Sequence, residues 1–247
     1  MEKKCSYVVI TPARNEEVFI EKTIASMINQ TLKPLLWVVV NDNSSDQTGK
    51  IVEKYISQYS FIKLINLSGT PERHFGNKVK AFNHGLSEAK AYNYQYIGNL
   101  DADISLENDY FEKLLDEFEK DLSLGVAGGM VRTRIGDQFI SQEVALDSVA
   151  GAVQLFRNEC FEQIGGYLIL PKGGIDTAAE IMARMKGWKT RTIADLRVLE
   201  YRRTGTATFQ PLASKVNDGH RFQSLGYDWL FLCLRCLYRL MDPPRFV

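Results

Sequence analysis

Four short runs rich in β-branched and aromatic residues, separated by stretches with helical periodicity, constrain this chain more than any other feature. The runs are residues 7–11 (Tyr7-Val8-Val9-Ile10-Thr11), 36–40, 61–67 and 96–100. Between them Ile20, Ile24, Met27 and Ile28, then Ile51, Val52, Tyr55 and Ile56, then Val79, Phe82, Leu86 and Ala89 recur at helix spacing. The second run is apolar throughout, as a strand buried on both faces should be. Strand and helix in alternation call for an α/β fold with a mostly parallel sheet and right-handed crossovers. Asn15 is expected to cap the first helix, with acids in its first turn. Residues 68–77, with Gly69, Pro71 and Gly76, read as a polar loop.

Beyond residue 103, Phe111, Leu114, Leu115 and Phe118 mark a fourth helix. Residues 125–131 form a small-residue strand, and 132–148 have weak periodicity and read as a mobile loop. A strand over 150–156 leads to a short helix over 158–164, closed by Gly165-Gly166. A helix over 177–186 ends at Gly187 in the usual C-cap role, and 197–201 is the last strand. Residues 227–241 are apolar nearly all round, with Asp228, Arg235, Arg239 and Asp242 on one narrow polar stripe. That segment is too short and too charged to span a bilayer. Such a helix lies in a membrane interface, packs on a partner or docks on its own domain. The expected division is therefore one domain over 1–225 and an amphipathic tail over 226–247.

Lysine plus arginine and aspartate plus glutamate number 30 each, and the formal net charge is zero. No basic stripe supports a nucleic-acid role. Met1-Glu2-Lys3-Lys4 runs straight into a strand, with no apolar signal segment. Cys5, Cys160, Cys233 and Cys236 make no disulfide framework, which fits a reducing cytosol. Cys233-x-x-Cys236 has zinc or redox spacing but no second pair and no nearby histidine, and is read as helix packing. His74, His84 and His220 show no ligand spacing.

The chemistry concentrates at the end of the fourth run, in Tyr96-Ile97-Gly98-Asn99-Leu100-Asp101-Ala102-Asp103. In extended chain, positions i and i+2 point to one side. Open α/β sheets hold their ligands outside the carboxyl ends of their strands. A hard divalent cation takes oxygen ligands, and Mg²⁺ typically uses one or two carboxylates plus substrate phosphates. An isolated Asp-x-Asp is usually only a polar loop; its surroundings here give it weight.

Those surroundings resemble the family 2 glycosyltransferases of the GT-A fold, from Tyr7 to about Tyr201, through motifs in the family's order. The resemblance implies a Rossmann-like, mostly parallel mixed sheet flanked by helices. Thr11-Pro12-Ala13-Arg14-Asn15-Glu16-Glu17 is similar to the opening turn that borders the nucleotide, with Thr11, Pro12, Ala13, Arg14 and Glu16 as candidate contacts. Val40-Asn41-Asp42-Asn43-Ser44-Ser45-Asp46 resembles Asp-Asp-Gly-Ser-x-Asp, which implies that Asp42 accepts a hydrogen bond from the base. Asn41 replaces the first acid and Asn43 the glycine. Asn77-Lys78-Val79-Lys80-Ala81-Phe82-Asn83-His84-Gly85 looks like Gly-Lys-x-x-Ala-x-Asn-x-Gly, with Lys78 approaching the nucleotide. Leu100-Asp101-Ala102-Asp103 looks like the metal motif. There Asp103 would ligate the cation, Asp101 would face ribose or metal, and Ala102 would border the donor.

Further on, the segments 151–157 and 164–167 match the family's acceptor side. Gly174-Ile175-Asp176 stands eleven residues before Gly187-Trp188, where relatives place a catalytic acid. Asp176 is thus the candidate base, with helix capping as its ordinary alternative and Glu180 in reserve. Many relatives carry a metal-binding histidine where this chain has Glu200-Tyr201, so either Glu200 donates an oxygen as the third ligand or the cation lacks that ligand. No Gln-x-x-Arg-Trp segment of the processive synthases is present.

The resemblance implies metal-dependent transfer of a sugar, with inversion, from a nucleotide-diphosphate sugar to an acceptor hydroxyl on a glycan, polysaccharide or lipid-linked molecule. It implies Mn²⁺ or Mg²⁺, and a cytoplasmic enzyme of cell-envelope polysaccharide synthesis. The tail would touch the inner face of the membrane peripherally. Arg202, Arg203, His220 and Arg221 are candidates for a diphosphate clamp. Two other readings stay open. One is a sugar nucleotidyltransferase, although the opening turn lacks that class's glycine-rich loop. The other is a non-catalytic nucleotide-sugar or glycan-binding protein, which the Glu200 departure keeps in play.

Overall fold

A computed structural model describes residues 5–68, 75–141, 145–202, 219–223 and 225–239. β1 (Tyr7–Ala13), β2 (Leu36–Asp42), β3 (Ile62–Leu67) and β4 (Tyr96–Leu100) alternate with α1 (Ile20–Ile28), α2 (Thr48–Ile56) and α3 (Phe75–Ala89). β1 pairs parallel with both β2 and β4, and β2 parallel with β3. These strands are the four apolar runs of the sequence. The chain continues through β5 (Ile104–Leu106), α4 (Tyr110–Lys120), β6 (Leu124–Ile135), β7 (Gln138–Ser141), β8 (Val153–Arg157), α5 (Asn158–Gln163), α6 (Ile175–Met185), β9 (Lys189–Glu200) and α7 (Trp229–Arg239).

Among the described residues the sheet has nine strands in the order β3-β2-β1-β4-β8-β6-β9-β5, with β7 hydrogen-bonded to β6. It is parallel from β3 to β4 and mixed beyond. β8 runs antiparallel to β4 and β6, and β5 antiparallel to β9, while β9 is parallel to β6. One face packs Ile20, Ile24, Val52, Phe111, Leu114 and Phe118 from α1, α2 and α4. The other packs Val79, Phe82, Phe161, Ala179 and Ala183 from α3, α5 and α6. α3 lies close to the sheet because residue 85 is glycine. A Cβ there would stand 2.6 Å from the Ile10 side chain.

Several boundaries differ from the sequence reading. Asn15 does not cap α1, which starts at Ile20 after Phe19. Asn15 instead has φ 56° and its Oδ1 accepts from the Ser45 backbone N–H at 2.8 Å. α3 starts inside the expected loop, at Phe75, while the rest of that loop, 69–74, lies outside the described residues. The expected mobile loop over 132–148 is largely a hairpin, in which β6 runs to Ile135, turns at Gly136 (φ 62°) and returns as β7. Its periodicity is weak because Arg134, Ile135, Gln138 and Ser141 are exposed, with no core face to impose alternation. β9 begins at Lys189, well before the expected strand, because a register shift opposite Gly129 and Met130 interrupts its pattern.

In α7 Trp229, Leu230, Phe231, Leu234, Leu237 and Tyr238 are exposed. Cys233 and Cys236 are exposed too, so they do not pack as expected: α7 turns them outward. The helix is held at its base, where the Tyr227 and Phe231 rings stack at 5.3 Å and Arg235 lies 4.3 Å over Phe222. Among the described residues no helix is long and apolar enough to cross a membrane.

Candidate active site

Strand pairing carries the aspartate pair past the end of β4. The Asp101 backbone N–H donates to Ala152 O at 2.8 Å, and Asp103 O accepts from the Tyr201 N–H at 2.9 Å. Ala102 between them is buried, and its carbonyl lies 2.9 Å from Thr23 Oγ1. Asp101 and Asp103 are therefore held by backbone contacts to β8 and β9 and stand half-buried at the carboxyl edge of the sheet.

Acids crowd this edge. Burial pushes the Asp103 carboxyl up, and the charges of Asp101, Glu16 and Glu200 push it further, to about 8, against a weaker opposing pull from Arg202. Glu200 at the end of β9 accepts from Thr133 Oγ1 at 2.6 Å. Glu16 is held by a two-pronged ion pair with Arg202, Nη1 to Oε1 at 2.9 Å and Nη2 to Oε2 at 2.6 Å. Lys78 on α3 places its ammonium 2.5 Å from Asp101 Oδ1. Burial alone would lower the Lys78 pKa. The charge and hydrogen bond of Asp101, with the charges of Asp176 and Asp103, outweigh it and raise the group above its ordinary value.

Asp176 lies in the first turn of α6. The residue before that helix is Gly174, in the left-handed region at φ 83°, and no side chain caps it. The capping alternative for Asp176 is thereby removed. Its carboxylate lies against Gly151, where a Cβ would stand 2.6 Å from Oδ2. Glu180, the reserve candidate, is only 2% exposed and works as a brace. It accepts from the Val149 N–H at 2.9 Å and from Gln154 Nε2 at 3.3 Å, and Gln154 in turn accepts from Tyr167 OH at 2.8 Å. These bonds hold Glu180 inside the fold.

The two turns expected to hold the nucleotide are tied to each other. Asn15 N–H donates to Ser44 Oγ at 3.0 Å, Glu16 N–H to Thr48 Oγ1 at 2.8 Å and Glu17 N–H to Asp46 Oδ2 at 3.0 Å. Gln47 N–H returns a bond to Glu17 Oε2 at 2.9 Å. Asn43 stands at φ 52°, which explains how it replaces glycine: asparagine tolerates the left-handed region better than most residues. Asp42 sits 3.7 Å from Arg14 Nη1. Of the other candidate contacts, Thr11 and Ala13 are buried in β1 beside half-buried Pro12, and the Thr11 hydroxyl accepts from Trp37 Nε1 at 2.9 Å. Its side chain serves the core rather than a ligand. Arg203 lies outside the described residues.

The donor set fits a divalent cation. Burial, reinforced by the charges of Asp101, Glu16 and Glu200, raises the Asp103 carboxyl to about 8, and a cation would replace the proton this favours. Among the described residues no three His, Cys, Asp or Glu side chains converge into a closed cage. Glu200 stands close enough to act on Asp103 electrostatically, but the trio Asp101, Asp103 and Glu200 does not close on its own. An open set of one or two carboxylates completed by substrate phosphates is how Mg²⁺ sites are usually built. Thr133 as a site part, the pairing of Glu16 with Arg202 and the packing of Asp176 on Gly151 were not legible, since partners so distant in sequence leave no local spacing.

The sequence matches the model of Glycosyl transferase family 2 over residues 8–186. The chain belongs to this family. Among curated relatives, the poly-beta-1,6-N-acetyl-D-glucosamine synthase of Staphylococcus epidermidis is 26% identical over 170 residues, covering 61% of this chain and 39% of that protein. The chain spans well under half the length of the first curated relatives it matches. Among solved structures, S. aureus TarS 1-349 in complex with UDP-GlcNAc superposes at TM-score 0.65 with 17% identity, over 83% of this chain and 61% of that one. The mannosyltransferase PcManGT from Pyrobaculum calidifontis, in complex with GDP-Man and Mn²⁺, superposes at 0.67 with 17% identity, over 88% and 62%. This family 2 chain thus has the GT-A fold, and its aspartate pair lies at the carboxyl edge of the sheet.

Proposed function

We propose that the chain transfers a sugar from a nucleotide-diphosphate sugar to an acceptor hydroxyl, with inversion, using Mn²⁺ or Mg²⁺. The observation that carries this reading is the cluster at the end of β4: Lys78 ion-paired with Asp101 at 2.5 Å, Asp176 and Asp103 close enough to act on Lys78 electrostatically, and Glu16 and Glu200 close enough to act on Asp103. Relatives with nucleotide-sugar complexes support the donor class. Asp103 and Asp101 would hold the cation, with Glu200 beside them. When bound, the cation would neutralise the diphosphate as a Lewis acid and template.

The chain's own groups do the rest. Lys78 supplies positive charge where the diphosphate accumulates negative charge. Asp42 would accept a hydrogen bond from the base, with Arg14 beside it. The acceptor oxygen bonds to the anomeric carbon as the carbon–oxygen bond to the diphosphate breaks, and the bonding pair leaves with the nucleoside diphosphate. The hydroxyl proton goes to Asp176. A carboxylate is a weak base toward an alcohol, yet general-base help in the transition state is worth roughly 10²–10⁴-fold.

A thermal-shift panel of nucleotide sugars with and without Mn²⁺ tests the reading, since a ligand that binds only the folded state raises its melting point. Metal-dependent stabilisation by one donor, followed by release of free nucleoside diphosphate, is the expected result. Release of pyrophosphate would instead indicate a nucleotidyltransferase, and binding without turnover a non-catalytic protein. We further propose that residues 226–247 form a tail separate from the transferase domain over 1–225.

A further inference from the structure

β6 outruns its neighbours. It runs in the same direction as β4, since both are antiparallel to β8, but β4 ends at Leu100 while β6 continues to Ile135 and turns back as β7. The end of β6 is thus a wall rising beside the edge that carries Asp101 and Asp103. Side chains alternate along a strand. Val131 belongs to the core on the α1 and α4 face, and Thr133, of the same parity, reaches Glu200. Gly128 has the other parity: a Cβ there would stand 2.7 Å from Val149, whose N–H bonds Glu180 of α6. Arg132 shares the parity of Gly128 and so lies on the α6 face of the wall, the face that carries Asp176.

Arg132 is half-buried, and its Nε is shut off from water with no hydrogen-bond partner. Other arginines of this domain are engaged: Arg202 with Glu16, Arg191 with Asp121, and Arg157 with the carbonyls of Leu124 and Phe118. A buried donor without an acceptor costs free energy that a mobile surface side chain would avoid. A guanidinium is always charged and matches carboxylate and phosphate oxygens with two parallel bonds. β8 separates β6 from β4. Two strand spacings put Arg132 about 10 Å along the sheet from the diphosphate end of the site, which is the breadth of a sugar ring and its substituents.

The geometry points to an anion subsite at Arg132 that takes a carboxylate or phosphate carried by the acceptor, beside its reacting hydroxyl. The word acceptor rests on the glycosyl-transfer reading; the anion site does not, and its test is independent of turnover. The probes are phenyl β-D-glucuronide, glycerol 3-phosphate and neutral phenyl β-D-glucoside, titrated into the full chain while the Arg132 Nε–H resonance is followed by ¹⁵N NMR. Saturable shifts with the glucuronide or with glycerol phosphate, and none with the glucoside, are expected; which anion shifts it assigns carboxylate or phosphate. Arg132→Gln should weaken that binding about tenfold or more, the effect of losing one charge-assisted hydrogen bond, and Arg132→Lys should restore part of it. Donor-induced stabilisation should be the same in all three proteins. The proposal falls if the glucoside shifts the resonance as much as the anions, if chloride at equal ionic strength does so, or if neither anion moves it up to 50 mM. It falls also if Arg132→Gln weakens the donor instead. Absence of any donor effect in the wild type would sink the transferase reading and leave the NMR result standing.

Discussion

The Asp176 carboxylate occupies the space that any side chain on Gly151 would need: a Cβ there would stand 2.6 Å from Oδ2 and 3.0 Å from Cγ. Gly151 opens the segment leading into β8, and Asp176 opens α6. The glycine thus sets how closely the proposed base approaches the end of β4. Gly151→Ala forces the carboxylate to swing away. Turnover should fall by about tenfold or more, since misplacement near 1 Å is costly to catalysis, while donor-induced stabilisation survives. A variant with normal turnover would show that the position of Asp176 does not matter.

The two acids of α6 should respond in opposite ways. Asp176→Asn keeps the shape but removes the basic oxygen, and turnover should drop by at least about a hundredfold. Glu180 is a buried brace that accepts from Val149 and Gln154. Burial raises its pKa, with Asp176 adding to this and the Val149 bond opposing. Glu180→Gln should leave turnover within about tenfold but lower the melting temperature, because it exchanges an acceptor for an amide inside a bonded network. Steady-state kinetics and thermal melts on both variants separate the roles.

The first half of the fold was legible because β1, β2 and β4 are runs buried on both faces and each helix presents one stripe, so period alone separates them. The second half was not, because β6 and β9 leave the core midway. Past Val131 and Val198 the buried positions are the polar Thr133 and Glu200, so apolar alternation stops, and the register of β9 against β6 shifts between Gly129 and Met130. Asp101, Asp103, Lys78 and Asp176 were readable from motif spacing, and the structure brings them together. Thr133, the pairing of Arg202 with Glu16, the packing of Gly151 against Asp176 and the bracing role of Glu180 were not, because each depends on a partner remote in sequence.

The acid cluster has a stability signature. Burial, then Asp101, Glu16 and Glu200, raise the Asp103 carboxyl from 3.8 to about 8. Between those values the folded chain holds a proton that the unfolded chain has lost. Stability therefore falls as pH rises across that window and levels off above it. Asp103→Asn removes this slope, so the variant should gain on the wild type with rising pH. Melting temperatures from pH 5 to 9 without divalent metal measure it. Mn²⁺ must displace the same proton, so its stabilising effect should grow with pH in the wild type. Parallel curves for the two proteins would show that Asp103 is not protonated in the folded state.

Asn43 holds a left-handed backbone at φ 52° in the turn that carries Asp42. Asn43→Gly should be neutral or mildly stabilising. Asn43→Ala should cost about 1 kcal/mol relative to Asn43→Gly, because alanine has neither glycine's freedom nor asparagine's local hydrogen bonding in that region, read as a lower urea midpoint with unchanged slope. Equal midpoints for the two variants would mean the turn relaxes to another conformation.

α7 carries an exposed apolar face. Trp229 and Tyr238 stand exposed near its two ends, with Leu230, Leu234 and Leu237 exposed between them. Amphipathic helices that lie in a bilayer interface bury such a face at the headgroup boundary, and we propose a membrane surface as its occupant. Trp229 is a built-in reporter, because Trp37 is fully buried and Trp188 half-buried. Vesicles of phosphatidylcholine and phosphatidylglycerol should shift its fluorescence to the blue, and brominated lipids should quench it. Leu234→Glu with Leu237→Glu should abolish both effects and leave donor-induced stabilisation intact, since neither residue touches the site. If vesicles leave Trp229 unchanged while sedimentation shows a dimer that the same double variant splits, the face belongs to a second copy of the chain and the membrane proposal fails.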